Sequence, residues 1–491
     1  MENIALSLKI RDKAPTRAEF DRAAHWIIIA PAGPEQRLPH GTLLYQRRSR
    51  VQRAAADSEP LVTELPNQIG SRVAFACIKP ELPQFNLLTL ARKLVAALTK
   101  DKAATICALI SGFAPHQRER MAEALYAAAL AAAADLPSYK KKREKPALAR
   151  LHLYGVADSP RLLRTRAEAE GNALARRLTV LPSNFLTPTE YMQQVRRLAR
   201  GHGWKLKFYD VKTLRRMGAG AFTAVAQGSP VADAGIAHLR YDPRVGRANA
   251  RAVALAGKGI CYDTGGVNLK TAQFMYGMHG DMQGSAVALG ILHALTRLKV
   301  RFPVDCWLAL AMNHIGSRAY KPNDVVTAVN GVTIEVVDTD AEGRMVLADT
   351  LALAARNKPR LILDFATLTG ACKRALGGYM SGVFTNRDLW VHRLIETGRQ
   401  SGERVWPFPM DEDYDHALES EIADIKQCSN EPGADHINAA RFLGRFVDDV
   451  PWIHMDLSAG GNKGGLAHIP THKTGFGVRF TLNLLLDQEM V

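Results

Sequence analysis

Short apolar runs that read as buried strands alternate along this chain with longer runs of helical period. That alternation restricts the fold to the α/β class. HWIIIAPA, SRVAFACI and ATICALI are strand-like, NLLTLARKLVAALTK repeats apolar residues at helical spacing, and RERMAEALYAAALAAAADL is an alanine-rich helix. The pattern closes near ARLHLYGV (Ala149–Val156), so residues 1–158 are expected to form a small N-terminal α/β domain. SPRLLRTRAEAEGNALARRLTV follows, a charged helix with few apolar positions, and 159–180 reads as a helical linker. From LPSNFLTPTEY (Leu181–Tyr191) a larger α/β domain begins and takes up 181–491. Its TPTE is a helix start, with proline just inside and an acid in the first turn. A chain of 491 residues exceeds what one hydrophobic core sustains, which agrees with two domains.

The net charge of +16 gathers in QRRSRVQR (Gln46–Arg53), YKKKREK (Tyr139–Lys145) and RRLARGHGWKLK (Arg196–Lys207). Such clusters can hold nucleic acid through phosphate contacts. No zinc-finger spacing or RNP pattern accompanies them, and solvated faces of an arginine-rich chain are the favoured account. DNA binding through the basic surface therefore stands as a second reading. No apolar run approaches the roughly 18 residues of a membrane span. MENIALSLKIRDKAPTRAEF has no signal-peptide core, so a cytoplasmic protein without membrane contact is expected. Cys77, Cys107, Cys261, Cys306, Cys372 and Cys428 are scattered without a CxxC pair, as reduced thiols would be.

Four segments of the second domain place polar groups where a strand ends or a helix begins, the edge at which open α/β sheets bind ligands. RAVALAGKGICYDTGG is a strand entering a glycine-rich loop, and it brings Lys258, Asp263 and, just beyond, Lys270. GDMQGSAVALGILHALTRL opens with Asp281. GVTIEVVDTDAEGRMVLADTLALAARN is a strand, a turn and a helix with Asp340, Glu342 and Arg344 at the turn. RLILDFATLTGA is a strand followed by a polar turn. Each acid has an ordinary structural account: Asp263 as an Asx-turn former, Asp281 as an N-cap, and Thr339 with Glu342 as a T-x-x-E capping box. Taken together they set four carboxylates, two lysines and an arginine at one sheet edge. Carboxylates held at one spot repel unless a cation lies between them, and four of them suit a pair of divalent metals bound mostly by oxygen. A P-loop is excluded, because Lys258 is followed by Gly259 and the upstream glycine is missing.

DTDAEGRMVLAD (Asp338–Asp349), GKGICYDTGGVNLK (Gly257–Lys270) and ATLTGA (Ala366–Ala371) resemble the motifs of the leucyl aminopeptidase, or cytosol aminopeptidase, family of dinuclear metallo-aminopeptidases. That family usually has Asn where this chain has Asp338. Similarity runs across the second domain and SNFLTPTE, and is weaker over the N-terminal domain. The resemblance implies two α/β domains, a smaller N-terminal and a larger C-terminal catalytic one, joined by a helix. It implies two divalent metals, manganese or zinc, held by Lys258, Asp263, Asp281, Asp340 and Glu342, with Asp263 and Glu342 bridging and Lys258 neutral. The metals would activate water and polarise the scissile carbonyl, and Lys270 would stabilise the oxyanion. Arg344, with Leu368, would hold a bicarbonate in the role of general base, a planar fork on a bidentate anion. The substrate's free α-amine would bind one metal, which makes the enzyme an exopeptidase acting on peptides. By analogy, leucine-like residues are preferred, with Met278, Thr367, Gly370 and Ala459 as pocket candidates and His279 and His314 structural or behind the ligands. A homohexamer is implied in the same way. Two alternatives stand beside this one. A phosphoesterase on the same metals is disfavoured by the lysine ligand and the arginine-held anion, and an inactive scaffold by the complete set of site residues.

Overall fold

The structure, a computed structural model, describes residues 4–32, 38–51, 59–243, 250–431, 433–488 and 490. Gln52 and Arg53 of the first basic cluster therefore lie outside the described residues. The chain divides into two compact units. One comprises Met1–Ala173 with Arg399–Gly402 and Lys463–Thr474; the other comprises Leu174–Gly398, Glu403–Asn462 and Gly475–Val491.

The first unit is built on six strands: β1 (Ser7–Arg11), β2 (His25–Pro31), β3 (Leu61–Glu64), β4 (Arg72–Ile78), β5 (Thr105–Ile110) and β6 (Arg150–Tyr154). They lie in the order β1-β6-β5-β2-β4-β3, parallel except for the antiparallel edge strand β3. Trp26 to Ala30 of β2 are all buried, because a parallel sheet covered on both faces demands continuous apolar runs instead of alternation. Helix Gln84–Thr99 turns Leu87, Leu90, Ala91, Leu94, Val95 and Leu98 inward at helical spacing.

The second unit carries β7 (Lys205–Asp210), β8 (Gly235–Tyr241), β9 (Val253–Asp263) and β10 (Val304–Asn313), then the short β11 (Val325–Thr327) and β12 (Thr333–Glu335). After these come β13 (Leu361–Ala366), β14 (Ser381–Thr385), β15 (Val405–Pro407), β16 (Ile425–Lys426) and β17 (Trp452–Asp456). Eight of them form one sheet in the order β15-β14-β17-β13-β9-β10-β8-β7. The four central strands, β17, β13, β9 and β10, are mutually parallel. Their carboxyl ends therefore share one edge: Asp456, Ala366, Asp263 and Asn313. The strand before the DTDAEGR turn departs from expectation. β12 pairs with β11 and β16 in a separate three-stranded sheet, not in the main one.

Helix Pro160–Thr179, expected as a linker, is far more buried than its charge suggests. Arg164 pairs with Glu168 at 3.0 Å and Arg166 with Glu170 at 2.8 Å, one turn apart. Arg166 also donates to the Leu6 and Ile4 carbonyls at 2.8 and 2.9 Å. Satisfied in this way, the charges can leave water.

The basic clusters are mostly solvated faces. Residues 139–145 are all exposed, as are Arg196, Arg197, Arg200, Lys205 and Lys207. Arg48 is an exception, buried with Nη2 donating to the Cys77 carbonyl at 3.3 Å. The six cysteines are free and buried, and no helix among the described residues is long and apolar enough to cross a membrane.

Candidate metal centre

β9 delivers two of the expected groups, Lys258 from its interior and Asp263 at its end. The chain then turns through Gly265 (φ +86°) and Gly266 (φ +68°), backbone that a side chain rarely adopts. A Cβ on Gly266 would also lie 2.8 Å from Thr339 Oγ1. Asp263 does form the Asx turn, accepting from Gly265 N at 2.9 Å. Its Oδ1 also accepts from Asn313 Nδ2 at 2.8 Å, while Oδ2 lies 2.9 Å from Lys270 Nζ. The Asx turn expected of Asp263 is therefore present, and its second oxygen still faces Lys270.

The other two bland accounts fail. The helix after the signature is Glu342–Ala355, its N-cap is Ala341, and no side chain caps it. Thr339 is engaged elsewhere, donating to the Gly265 carbonyl at 2.6 Å and accepting from Asn268 N at 2.9 Å. Long-range bonds to the glycine loop have displaced the capping box. Asp281 likewise is not the N-cap, since helix Gln283–Arg297 begins after Met282. It accepts instead from Thr367 Oγ1 at 2.7 Å.

Lys258 Nζ is the hub. It stands 2.9 Å from Asp281 Oδ2 and 2.8 Å from Glu342 Oε1, and donates to the Thr367 carbonyl at 3.0 Å. Gly343 makes this possible: a Cβ there would fall 2.6 Å from the ammonium nitrogen. Lys270 Nζ meanwhile bridges Asp263 and Asp340. Carboxylate oxygens of Asp263, Asp340 and Glu342 lie within 4.8 Å of one another. Two lysines thus hold the four carboxylates in two pairs, and Lys258, Asp263, Asp281 and Glu342 are buried.

Burial raises the pKa of Glu342 well above the carboxylate range, with the charge of Asp263 adding to it. Burial likewise raises Asp281 against the pull of Lys258, and takes Asp340 up to about 6. Burial would lower Lys258 and Lys270, but the carboxylates around each outweigh it and raise both. Glu342 Oε2 is buried with no hydrogen-bond partner. A buried carboxylate oxygen without a partner is costly, and the carboxylates of Asp263, Asp340 and Glu342, gathered this closely, fit a divalent cation bound by oxygen.

The remaining expected residues divide. Arg344 is buried on the first turn of the same helix and pairs with Asp435 at 2.6 Å. Leu368 N donates to Asp456 Oδ1 at 3.1 Å. Thr367 is tied to Asp281 and Lys258, Met278 is half-buried and Gly370 exposed. Ala459 is fully buried. His314 Nδ1 meets the neighbouring Ile315 carbonyl at 3.1 Å, and His279 is half-buried beside Met278.

Four residues overlooked in the sequence hold the site in place. Asn313 Nδ2 reaches both Asp263 and the Thr339 carbonyl, at 2.8 and 3.0 Å. Gln427 staples the signature turn: its Oε1 accepts from Val337 N and Asp338 N at 3.1 Å, and its Nε2 donates to the Ala341 carbonyl at 3.0 Å. Asp456 accepts from Leu368 N, Thr369 N and Thr369 Oγ1, and Asp435 meets Arg344. Asn313 and Asp456 end parallel strands, which was the one signal available for them. The Asp338 departure is easily absorbed, for its side chain only accepts, from Asp340 N at 2.8 Å.

Comparison with known proteins agrees with this geometry. The cytosol aminopeptidase family, catalytic domain, matches residues 173–482. A protein of Acidovorax sp. (strain JS42) named "Probable cytosol aminopeptidase" is 41% identical over 359 residues, 72% of this chain and 70% of that protein. A namesake from Rhodopseudomonas palustris (strain BisB5) is 40% identical over 324 residues, covering 65% and 63% respectively. Among solved structures, a lysine-to-glutamate mutant of tomato leucine aminopeptidase is similar over 99% of this chain and 97% of its own, with a TM-score of 0.85 at 25% identity.

Proposed function

From the premise that this chain belongs to the cytosol aminopeptidase family and is a metallo-aminopeptidase of the hydrolase class, we propose that it is a dinuclear enzyme releasing N-terminal, leucine-like residues from peptides. The observation that carries this is the convergence of Lys258, Asp263, Asp281, Asp340 and Glu342, with Glu342 Oε2 buried and unpartnered. These five would hold two divalent ions, manganese or zinc. Bound there, the ions supply an activated water and polarise the scissile carbonyl.

The chain's own residues do the rest. Lys258 would serve as a ligand in its neutral form, its proton released to solvent, and the Thr367 carbonyl that it now meets keeps its nitrogen aimed at Asp281 and Glu342. Thr367 Oγ1 fixes the Asp281 carboxylate. Lys270 keeps its proton under the influence of Asp263 and Asp340 and offers a fixed positive charge to the developing oxyanion. Met278 and Gly370, beside these groups in sequence, are the proposed contacts of the substrate side chain. Residues 181–491 carry this catalysis, and by family analogy the chain assembles as a cytoplasmic homohexamer. Arg344 is paired with Asp435 through Nη2.

The test is hydrolysis of a panel of amino-acid p-nitroanilides after chelation, and again after manganese, zinc, cobalt or magnesium is restored. Glu342→Ala and Lys270→Ala are run beside the wild type. Metal-restored activity on free-amine substrates, absent from both variants and from N-acetylated substrates, supports the reading. Folded, metal-loaded protein that cleaves none of the panel would sink it.

A further inference from the structure

Helix Gly370–Leu376 follows directly on the loop whose Thr367 meets both Lys258 and Asp281. Its N-cap, Thr369, is fixed to the buried Asp456 through its amide and its hydroxyl, which anchors the helix start beside the metal centre. Gly370 is exposed. It stands three positions past Thr367, so their Cα atoms are at most about 11 Å apart.

Two cations follow on this helix, and they differ. Lys373 Nζ donates to the Ser458 and Gly461 carbonyls at 2.6 and 3.1 Å. Arg374 is exposed, and among the described residues its guanidinium has neither a carboxylate partner nor a hydrogen bond. Side chains on a helix lean toward its N-terminus, so a residue covers the one four before it. Arg374 does this: its Nη1 lies 3.2 Å from the point where a Cβ on Gly370 would stand.

The charge at this spot is not cancelled. Against burial, Arg344 first and Arg374 also hold the Asp435 carboxyl below its usual range. Burial lowers His436, and Arg374 lowers it further against the pull of Asp435. Asp435 is nevertheless already paired with Arg344 at 2.6 Å. Two guanidiniums thus stand around one carboxylate, and one positive charge is left over. A free guanidinium offers the parallel N–H groups that a carboxylate accepts from.

We infer that Arg374 is a specificity-determining residue, whose guanidinium receives the side-chain carboxylate of an acidic N-terminal residue, so that peptides beginning with glutamate are cleaved beside leucine-like ones. The inference deepens the aminopeptidase reading and rests on it, and on Gly370 as a contact of the substrate side chain.

The test measures kcat/KM for glutamyl, glutaminyl and leucyl p-nitroanilides with manganese-loaded wild type, Arg374→Gln and Arg374→Lys. Glutamate and glutamine share a shape, so their ratio reads the charge alone. Wild type should favour the glutamyl substrate by about tenfold, and the ratio should shrink as salt is raised from about 50 to about 500 mM. Arg374→Gln should bring it to about one, and Arg374→Lys should retain most of it. A merely structural role would lower all three substrates together and leave the ratio in place. A wild-type ratio near one, or a ratio that survives Arg374→Gln, overturns the inference. So does an Arg374→Gln variant that loses Leu-Leu relative to its C-terminal amide at an unchanged ratio, because Arg374 would then read the far end of a dipeptide. Wild type that cleaves the leucyl substrate but treats glutamate and glutamine alike fails this inference alone. Wild type that cleaves nothing fails the aminopeptidase reading, and this inference falls with it.

Discussion

Lys258 Nζ stands 2.8 Å from Glu342 Oε1, a buried pair that joins the interior of β9 to the first residue of helix Glu342–Ala355. In metal-free protein this ammonium is the counter-charge for both Glu342 and Asp281. Lys258→Met should therefore destabilise the metal-free protein by about 3–5 kcal/mol, the cost of leaving buried carboxylates uncompensated. Urea unfolding of the chelated proteins measures it, and a loss near zero would contradict the electrostatic role.

Lys270 is less buried and is held by Asp263 and Asp340. If it stabilises developing charge, Lys270→Ala should lower kcat by about 10²–10³ with little change in KM. Metal content, read by atomic emission, should stay at the wild-type level. A variant that loses metal in step with activity would make Lys270 a scaffold residue instead.

Asp456 holds the loop after β13 with three hydrogen bonds, from Leu368 N, Thr369 N and Thr369 Oγ1. Asp456→Ala strands two amides and a hydroxyl in a buried place. A loss of about 2–4 kcal/mol is expected, together with a raised KM, because Thr367 of the same loop fixes Asp281. Unfolding and steady-state kinetics on one preparation test both halves.

Asp349, on the same helix, gives a pH dependence. Its carboxylate accepts from Phe222 N and Val329 N, both at 2.7 Å, yet burial outweighs them and raises its pKa from 3.8 to about 7. Between those values the folded chain holds a proton that the unfolded chain has lost. Stability from this group is thus greatest below pH 3.8 and declines as pH rises toward 7. Melting temperatures across that window should fall less steeply for Asp349→Asn than for wild type. Parallel curves would rule the assignment out.

Metal loading should stabilise as well as activate. Each site filled at about a hundred times its dissociation constant adds about 2.7 kcal/mol. Chelated protein should therefore melt lower and regain its melting temperature with manganese or zinc, and Glu342→Ala should blunt that recovery.

The backbone was legible wherever burial on both faces left an uninterrupted apolar run, as in β2, β4, β5, β9 and β13. Site residues were legible where several charges crowded into a short glycine-bearing stretch. What escaped were interactions that close over long sequence distances. Thr339 looked like a cap for its own helix, but bonds to Gly265 and Asn268, about seventy positions earlier, took its hydroxyl. Gln427 and Asp435 sit in unremarkable polar stretches, and only the folded chain brings them to the signature turn and Arg344. Helix Pro160–Thr179 read only as a charged linker because composition cannot show that Arg164 pairs with Glu168 and Arg166 with Glu170.

The order of strands in the second sheet has a consequence for timing during synthesis. Lys258 and Asp263 emerge early, but β17, which lies beside β13 and carries Asp456, emerges almost two hundred residues later. Until it docks, the Thr367–Thr369 loop lacks the three hydrogen bonds to Asp456, and the hydroxyl that orients Asp281 is less firmly held. Non-local pairing of this kind forms late. A ribosome-bound chain should accordingly be unable to retain metal until β17 has been made, so that peptide-cleaving capacity arrives only once Asp456 is in place.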